Sequence, residues 1–178
     1  MPEMASKRYH SLSLAFVATV ALLLLASNRA EARFRGINSF CTTADQRLLC
    51  TRMVHGATNW HDAVANAINM SLELATNIKS MLPRIGPLLT DLSPESRDST
   101  IQTCAENFDS AVDNLKEALT YLDAGDKGSL NTYLSSVTIS DCIDAFDQFS
   151  APFPDTLSKA ARVLGRQVNN ILAVSQQI

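Results

Sequence analysis

Cysteine and histidine have the most reactive side chains in this sequence, and the chain contains few of either. It has 178 residues, four cysteines and three histidines. A nucleophilic triad needs a histidine base beside a serine or cysteine, and a zinc site needs closely spaced ligands. One histidine, His10, lies in the N-terminal segment that has the pattern of a signal peptide, which leaves His55 and His61. The motifs C-x-x-C, G-x-S-x-G and Glu-x-x-His do not occur. We therefore expect no catalytic site, no metal site and no cofactor.

The cysteines are better explained as disulfide partners. An even number of cysteines favours pairing when a chain is exported, and the first residues of this chain predict export. Three pairings are possible, and the simplest, without nesting, joins Cys41 to Cys50 and Cys104 to Cys142. In the chain-entropy view, the short first loop and the longer second loop contribute about 2.5 and about 4 kcal/mol.

The beginning of the chain has the pattern of a signal peptide. Lys7 and Arg8 precede the apolar run Leu12–Ala26, and Ala30 and Ala32 form an A-x-A arrangement. The run is shorter than the roughly 20 residues that a membrane-spanning helix needs. Charged residues interrupt every later apolar stretch. We expect residues 1–32 to be removed and the mature protein to be secreted and soluble.

The charge of the mature chain restricts its partners. Without residues 1–32, twelve basic and sixteen acidic residues remain, a net charge of about −4. Nucleic-acid binding needs clustered lysine and arginine to neutralise phosphates, so we do not expect it. A basic protein surface is a more natural partner.

The chain beyond Asn59 reads as four amphipathic helices. Apolar residues recur every three or four positions, and no segment alternates with the period of a strand. The first helix begins at Trp60 and ends before Pro83, and the second begins after Ser93 and runs to Gly125. We expect a third helix from Ser129 through Phe149, weakened in its middle, and a fourth after Asp155. Such helices pack most simply as one all-α, antiparallel four-helix up-and-down bundle over residues 59–178.

Residues 33–58 have no place in that bundle. They contain apolar residues but only short helical patterns, and a Cys41–Cys50 bridge closes them into a helical hairpin. The pattern does not show whether this hairpin packs on the bundle or projects from it. It also carries four arginines, Arg33, Arg35, Arg47 and Arg52.

One side of the second long helix is dense in polar residues. Spacings of three and four place Glu106, Asp109 or Ser110, and Asp113 on adjacent turns, with Asn107 in the same segment. Like charges stacked in this way repel one another and weaken the helix slightly. The segment is therefore either a solubilising face or an electrostatic docking surface for a basic partner.

Asn69-Met70-Ser71 is an acceptor motif for N-linked glycosylation in an exported chain. The apolar residues Ile68 and Leu72 place Asn69 one position away from the buried stripe. Because an acceptor must lie on the outer face, the sequence leaves occupancy of Asn69 open.

Several short motifs stand in a fixed order along the chain. They are the pair Cys41 and Cys50, the run Thr103-Cys104-Ala105-Glu106-Asn107-Phe108, and Gly125-Asp126 with Ser129-Leu130-Asn131 and Tyr133, followed by Cys142. This ordered set resembles the plant invertase and pectin methylesterase inhibitor family. The resemblance implies a four-helix bundle preceded by a helical hairpin, with the first cysteine bonded to the second and the third to the fourth.

The resemblance also implies an inhibitor rather than an enzyme. Invertase inhibitors carry a Pro-Lys-Phe element after the Gly-Asp turn, where this chain has Lys127-Gly128-Ser129-Leu130. The Ser-Leu-Asn-x-Tyr pattern is similar to the pectin methylesterase inhibitor branch, although Ser110 stands where that branch often has an acid. The expected protein forms a reversible 1:1 complex over the pectin-binding cleft in the apoplast, with Glu106, Asn107 and Asp113 facing the esterase. The alternatives are an acid invertase as the target, or a structural or signalling bundle without an enzyme target.

Overall fold

The structure of the chain is a computed structural model that describes residues 36–149 and 153–177. Every regular element in these ranges is helical, which confirms the all-α prediction. The predicted signal peptide lies outside the described residues. The six α-helices are α1 (Arg47–Met53), α2 (Trp60–Met81), α3 (Pro94–Asp123), α4 (Lys127–Ser135), α5 (Ser140–Gln148) and α6 (Asp155–Ser175), and short 3-10 turns span Ser39–Cys41, Leu82–Arg84 and Gly86–Leu88.

Two of the long helices, α2 and α3, begin at side-chain caps. Asn59 accepts a hydrogen bond from the Asp62 amide at 2.9 Å and starts α2. Ser93 accepts one from the Ser96 amide at 3.2 Å, and Pro94 occupies the first turn of α3. These bonds satisfy amides that have no partner inside a helix, so the helices start where the caps stand.

Four helical segments, which we call arms, pack around one apolar core. They are α2, α3, α4 together with α5, and α6. α2 contacts α3 and α6, α3 contacts α4 and α5, and α4 contacts α6. The largest fully buried side chains come from all of these helices and include Ile68, Phe108, Leu115, Phe146 and Ile171. The arrangement confirms the predicted bundle, in which α4 and α5 together form the third arm.

The third arm differs from the continuous helix that we predicted over residues 129–149. It is divided into α4 and α5 by a non-helical link at residues 136–139. The Thr138 hydroxyl accepts a hydrogen bond from the Ser140 amide at 3.2 Å, a local bond that competes with the helical one. The break between the two helices therefore coincides with a link rich in β-branched and hydroxyl side chains.

The N-terminal segment packs on the bundle and does not project from it. It consists of a 3-10 turn and α1, joined by a Cys41–Cys50 disulfide with a Cα–Cα distance of 5.7 Å. α1 contacts α2 and α6, and Met53 and Val54 are buried in the common core. Asn170 of α6, which is 1% exposed, both accepts from the Gln46 amide and donates to the Gln46 carbonyl at 3.2 Å.

A second disulfide fixes the third arm to α3. Cys104 and Cys142 are bonded with a Cα–Cα distance of 4.3 Å, and both are fully buried. The bridge holds α5 against the middle of α3. The position of α3 in the bundle is consequently set by both core packing and a covalent bond.

Candidate functional site

The exposed side of α3 carries most of the residues that we predicted to meet a partner. Glu106, Asp109, Ser110 and Asp113 are all exposed, and Glu117 continues the row one turn further on. We refer to these five residues as the acidic ridge. Because the row lies on a regular helix whose opposite side is buried, the positions of its side chains are set by the core of the bundle.

Asn107 does not belong to this surface, although we predicted that it faces a partner. Its side chain is 6% exposed, and its Oδ1 accepts a hydrogen bond from the Cys142 amide at 3.2 Å. The spacing explains the correction, since Asn107 lies three residues after Cys104 and four before Ala111, on the apolar stripe. Asn107 therefore positions the first turn of α5 and is not available to a partner.

Asp109 is engaged with a neighbouring helix. Its carboxylate forms an ion pair with the ammonium group of Lys79, near the end of α2. Sequence reasoning missed this pair because Lys79 and Asp109 do not face each other in a simple helical hairpin. The 3-10 turns after α2 also contact α3, so the chain lies alongside α3 beyond the end of α2 and Lys79 meets a residue well inside α3.

Asp113 is also paired, although within its own helix. Lys116 donates to the Asp113 carboxylate at 3.1 Å, a pair of the exposed i,i+3 type. Glu106 accepts a hydrogen bond from the neutral side-chain amide of Gln102 at 2.9 Å, so no positive charge is paired with it there. Glu117 has no ion pair among the described residues. Most of the unbalanced negative charge of the acidic ridge therefore lies on Glu106 and Glu117.

The far end of α3 is closed by a tight turn. Gly125 has a φ of 71°, a conformation that glycine adopts without steric cost. Asp126 accepts hydrogen bonds from the Ser129 amide at 3.0 Å and the Ser129 hydroxyl at 2.7 Å. These bonds favour the charged carboxylate and lower the pKa of Asp126 below its ordinary value. The turn fixes the direction in which α4 leaves α3.

Two further contacts surround this turn. His61 lies 3.1 Å from the Asp123 carboxylate and links the start of α2 to the end of α3. Tyr121 and Tyr133 stack with their ring centroids 5.2 Å apart. The neighbouring Tyr133 hydroxyl raises the pKa of Tyr121. The first contact joins α2 to the end of α3, and the second joins α3 to α4, so both stabilise the turn between α3 and α4.

The carboxylates of the acidic ridge are exposed to solvent. In the described part of the chain, no three histidine, cysteine, aspartate or glutamate side chains are grouped closely enough to hold a metal ion. Within the same residues, no helix is long and apolar enough to cross a membrane. The ridge presents carboxylates on a convex helix, which suits contact with a complementary basic surface.

Asn69 lies on the outer side of α2. Its side chain is exposed, whereas the Ser71 hydroxyl is buried and donates to the Ala67 carbonyl at 3.1 Å. The acceptor residue of the glycosylation motif is therefore accessible in the folded chain.

Comparison with known proteins gives a consistent picture. The family described as plant invertase/pectin methylesterase inhibitor matches residues 35–174 of the chain. The fold is similar to the crystal structure of mutant form A of a pectin methylesterase inhibitor from Arabidopsis, with a TM-score of 0.63 at 16% identity, covering 79% of this chain and 95% of that one. A pectin methylesterase inhibitor from Arabidopsis thaliana has a TM-score of 0.57 at 16% identity, with 79% and 93% covered. No curated protein sequence matches the chain.

Proposed function

Because the chain belongs to the plant invertase/pectin methylesterase inhibitor family, we propose that it is a secreted, apoplastic inhibitor of a pectin methylesterase. In this proposal the chain forms a reversible 1:1 complex with the esterase. The complex covers the pectin-binding cleft and so regulates the de-esterification of cell-wall pectin. The bundle needs no cofactor for this role.

The observation that carries the proposal is the acidic ridge on a rigid helix. α3 is buried on its inner side, bonded to α5 through Cys104 and Cys142, and ended by a glycine turn. A preformed surface loses little conformational entropy when it binds. Glu106 and Glu117 supply charge that guides a basic partner into contact and makes the association weaker as salt increases.

The fold supports inhibition rather than turnover. The two similar structures are both described as pectin methylesterase inhibitors, and the family description names inhibitors only. A bundle that occupies a cleft blocks the substrate without chemistry of its own. The ridge therefore acts by occlusion, and its residues bind the enzyme without entering the reaction.

A paired inhibition assay tests this proposal. The mature chain with both disulfides formed is titrated against a pectin methylesterase and against an acid invertase, and the residual activity of each enzyme is measured. We expect the esterase activity to fall to a plateau at one equivalent of the chain, with the invertase unaffected. Inhibition of the invertase alone would assign the chain to the other branch, and inhibition of neither enzyme would indicate a structural or signalling bundle.

We also propose that Asn69 carries an N-linked glycan when the chain is secreted. The exposed side chain and the complete acceptor motif support this modification. Chain secreted from a plant host should lose mass when treated with a glycosidase active on plant N-glycans, and Asn69→Gln chain should not. If glycosidase treatment leaves the mass of the native chain unchanged, the assignment of a glycan to Asn69 is wrong.

A further inference from the structure

An open groove lies on a part of the bundle that the proposed inhibition does not use. It has a volume of about 800 Å³ and runs between α1 and α6, with Met70 of α2 in its lining. Its side chains combine two kinds of chemistry, apolar and cationic. They include Arg47, Leu48, Arg52, Met70, Val163 and Arg166. We refer to this feature as the basic groove.

The charges of the basic groove are available for binding. Arg47, Arg52 and Arg166 are exposed, and none of them has an ion pair within residues 36–149 and 153–177. Asp45 is the one carboxylate among the lining residues. The groove is thus a net positive site in a chain whose overall charge is negative.

The apolar part of the groove is also unusually accessible. The Leu48 side chain is 67% exposed, the highest value among the large apolar residues that are exposed in the described chain, and Val163 is 36% exposed. Arginine and methionine around an apolar centre are typical of protein interfaces, whereas the described lining contains no aromatic ring for a sugar to stack on. The groove therefore favours a protein segment that combines an apolar anchor with carboxylates.

α5 of this same chain has that composition. Ile143 is 37% exposed, and Asp144 and Asp147 lie beside it on the outer side of the helix. Among the described residues, neither carboxylate has a cationic partner. α5 packs against α3, whereas α1, α2 and α6 form the groove, so a chain does not fill the groove with its own α5.

We propose that the basic groove binds α5 of a second copy of this chain. In this contact Ile143 packs against Leu48 and Val163, and Asp144 and Asp147 pair with the groove arginines. The two surfaces are different, so the contact is heterologous. Repeated contacts of this kind either close into a small ring or extend into an open filament of protein copies. A short helix buries little area, and we expect a dissociation constant on the order of 100 μM at low salt.

Charge reversal with mixing provides the test. The mature chain, produced without a glycan and with both disulfides formed, is examined by sedimentation equilibrium up to roughly 500 μM, well above the expected dissociation constant. We expect the average mass to rise with concentration. The groove variant, Arg52→Glu with Arg166→Glu, and the helix variant, Asp144→Arg with Asp147→Arg, should each remain monomeric alone. Mixed together they should associate, because each reversed surface then meets a complementary one.

A matched control separates the groove from net charge. Arg84→Glu with Lys159→Glu changes the chain by the same charge at exposed residues outside the groove lining, and it should associate like the native chain. The proposal is overturned if the native chain stays monomeric. It is equally overturned if the two variants do not associate when mixed. It is also overturned if polygalacturonate binds the native chain but not the groove variant while both stay monomeric, which would assign the groove to a polyuronate.

Discussion

The acidic ridge and the basic groove are both charged surfaces, but they use their charges differently. On the ridge, Asp109 is paired with Lys79 and Asp113 with Lys116. In the groove, three arginines surround exposed apolar side chains without an ion pair in the described chain. The number of charged residues in a segment of sequence therefore does not give the unpaired charge that the folded surface presents to a partner.

The largest expected effect comes from removing the covalent support of each surface. Cys104→Ser with Cys142→Ser removes the longer loop constraint, worth about 4 kcal/mol, and frees α5 from the ridge helix. Cys41→Ser with Cys50→Ser removes about 2.5 kcal/mol and loosens one wall of the groove. Urea unfolding and inhibition assays should show larger losses of stability and inhibition for the first pair. Equal losses of inhibition would contradict this division of roles.

Reversal of charge on the ridge tests which surface inhibits. We expect Glu106→Lys with Asp113→Lys to weaken inhibition of the esterase about 100-fold, because repulsion replaces attraction at a close contact. The melting temperature should change little, since both side chains are exposed.

The groove variant Arg52→Glu with Arg166→Glu is the matched control for this reversal. It should inhibit as well as the native chain at concentrations where the chain is monomeric. Equal weakening by both variants would mean that inhibition follows net charge rather than the ridge.

The sequence predicted the limits of α3 better than it predicted which residues of α3 form the acidic ridge. The start of α2 followed from apolar periodicity, its end from Pro83, and the limits of α3 from Ser93 and Gly125, which are all local signals. Asn107 was misplaced because a polar residue on an apolar stripe looks exposed until its partner, the Cys142 amide, is known. The groove could not be predicted in the same way, since α6 lies far along the chain from α1 and α2 and only the fold brings them together. Only the excess of arginine in residues 33–58 indicated it.

A smaller effect is expected from the buried asparagines that support the two surfaces. Asn170→Ala leaves the Gln46 backbone amide unpaired and removes one of two hydrogen bonds to the Gln46 carbonyl, which keeps its bond from the Cys50 amide. This change should cost about 2–3 kcal/mol. Asn107→Ala leaves only the Cys142 amide unpaired, for a cost of about 1–2 kcal/mol. Urea unfolding of both variants measures the difference. Asn170→Ala should weaken self-association more than inhibition, and the reverse result would place Asn170 in support of the ridge.

The smallest effect concerns the turn that ends the ridge helix. The pKa of Asp126 in the folded chain is lowered from its ordinary 3.8, so the charged carboxylate stabilises the fold above that pH. This contribution is lost as the pH falls below 3.8 and through the folded-state pKa. The melting temperature of Asp126→Asn should therefore be below that of the native chain at pH 6, and the gap should narrow towards pH 3. A constant gap would indicate that the charge of Asp126 is not involved.

The division of the third arm has a consequence for how this fold tolerates changes in length. α3 has 30 residues and runs beside both α4 and α5, which have nine each. A residue inserted within α3 rotates everything beyond it by about 100° and moves the acidic side chains away from their positions. A residue inserted at 136–139 falls in the non-helical link and leaves the helical register of α3 unchanged, while the disulfide holds α5 against α3. We therefore expect a change of length at this link to displace the acidic ridge less than the same change within α3.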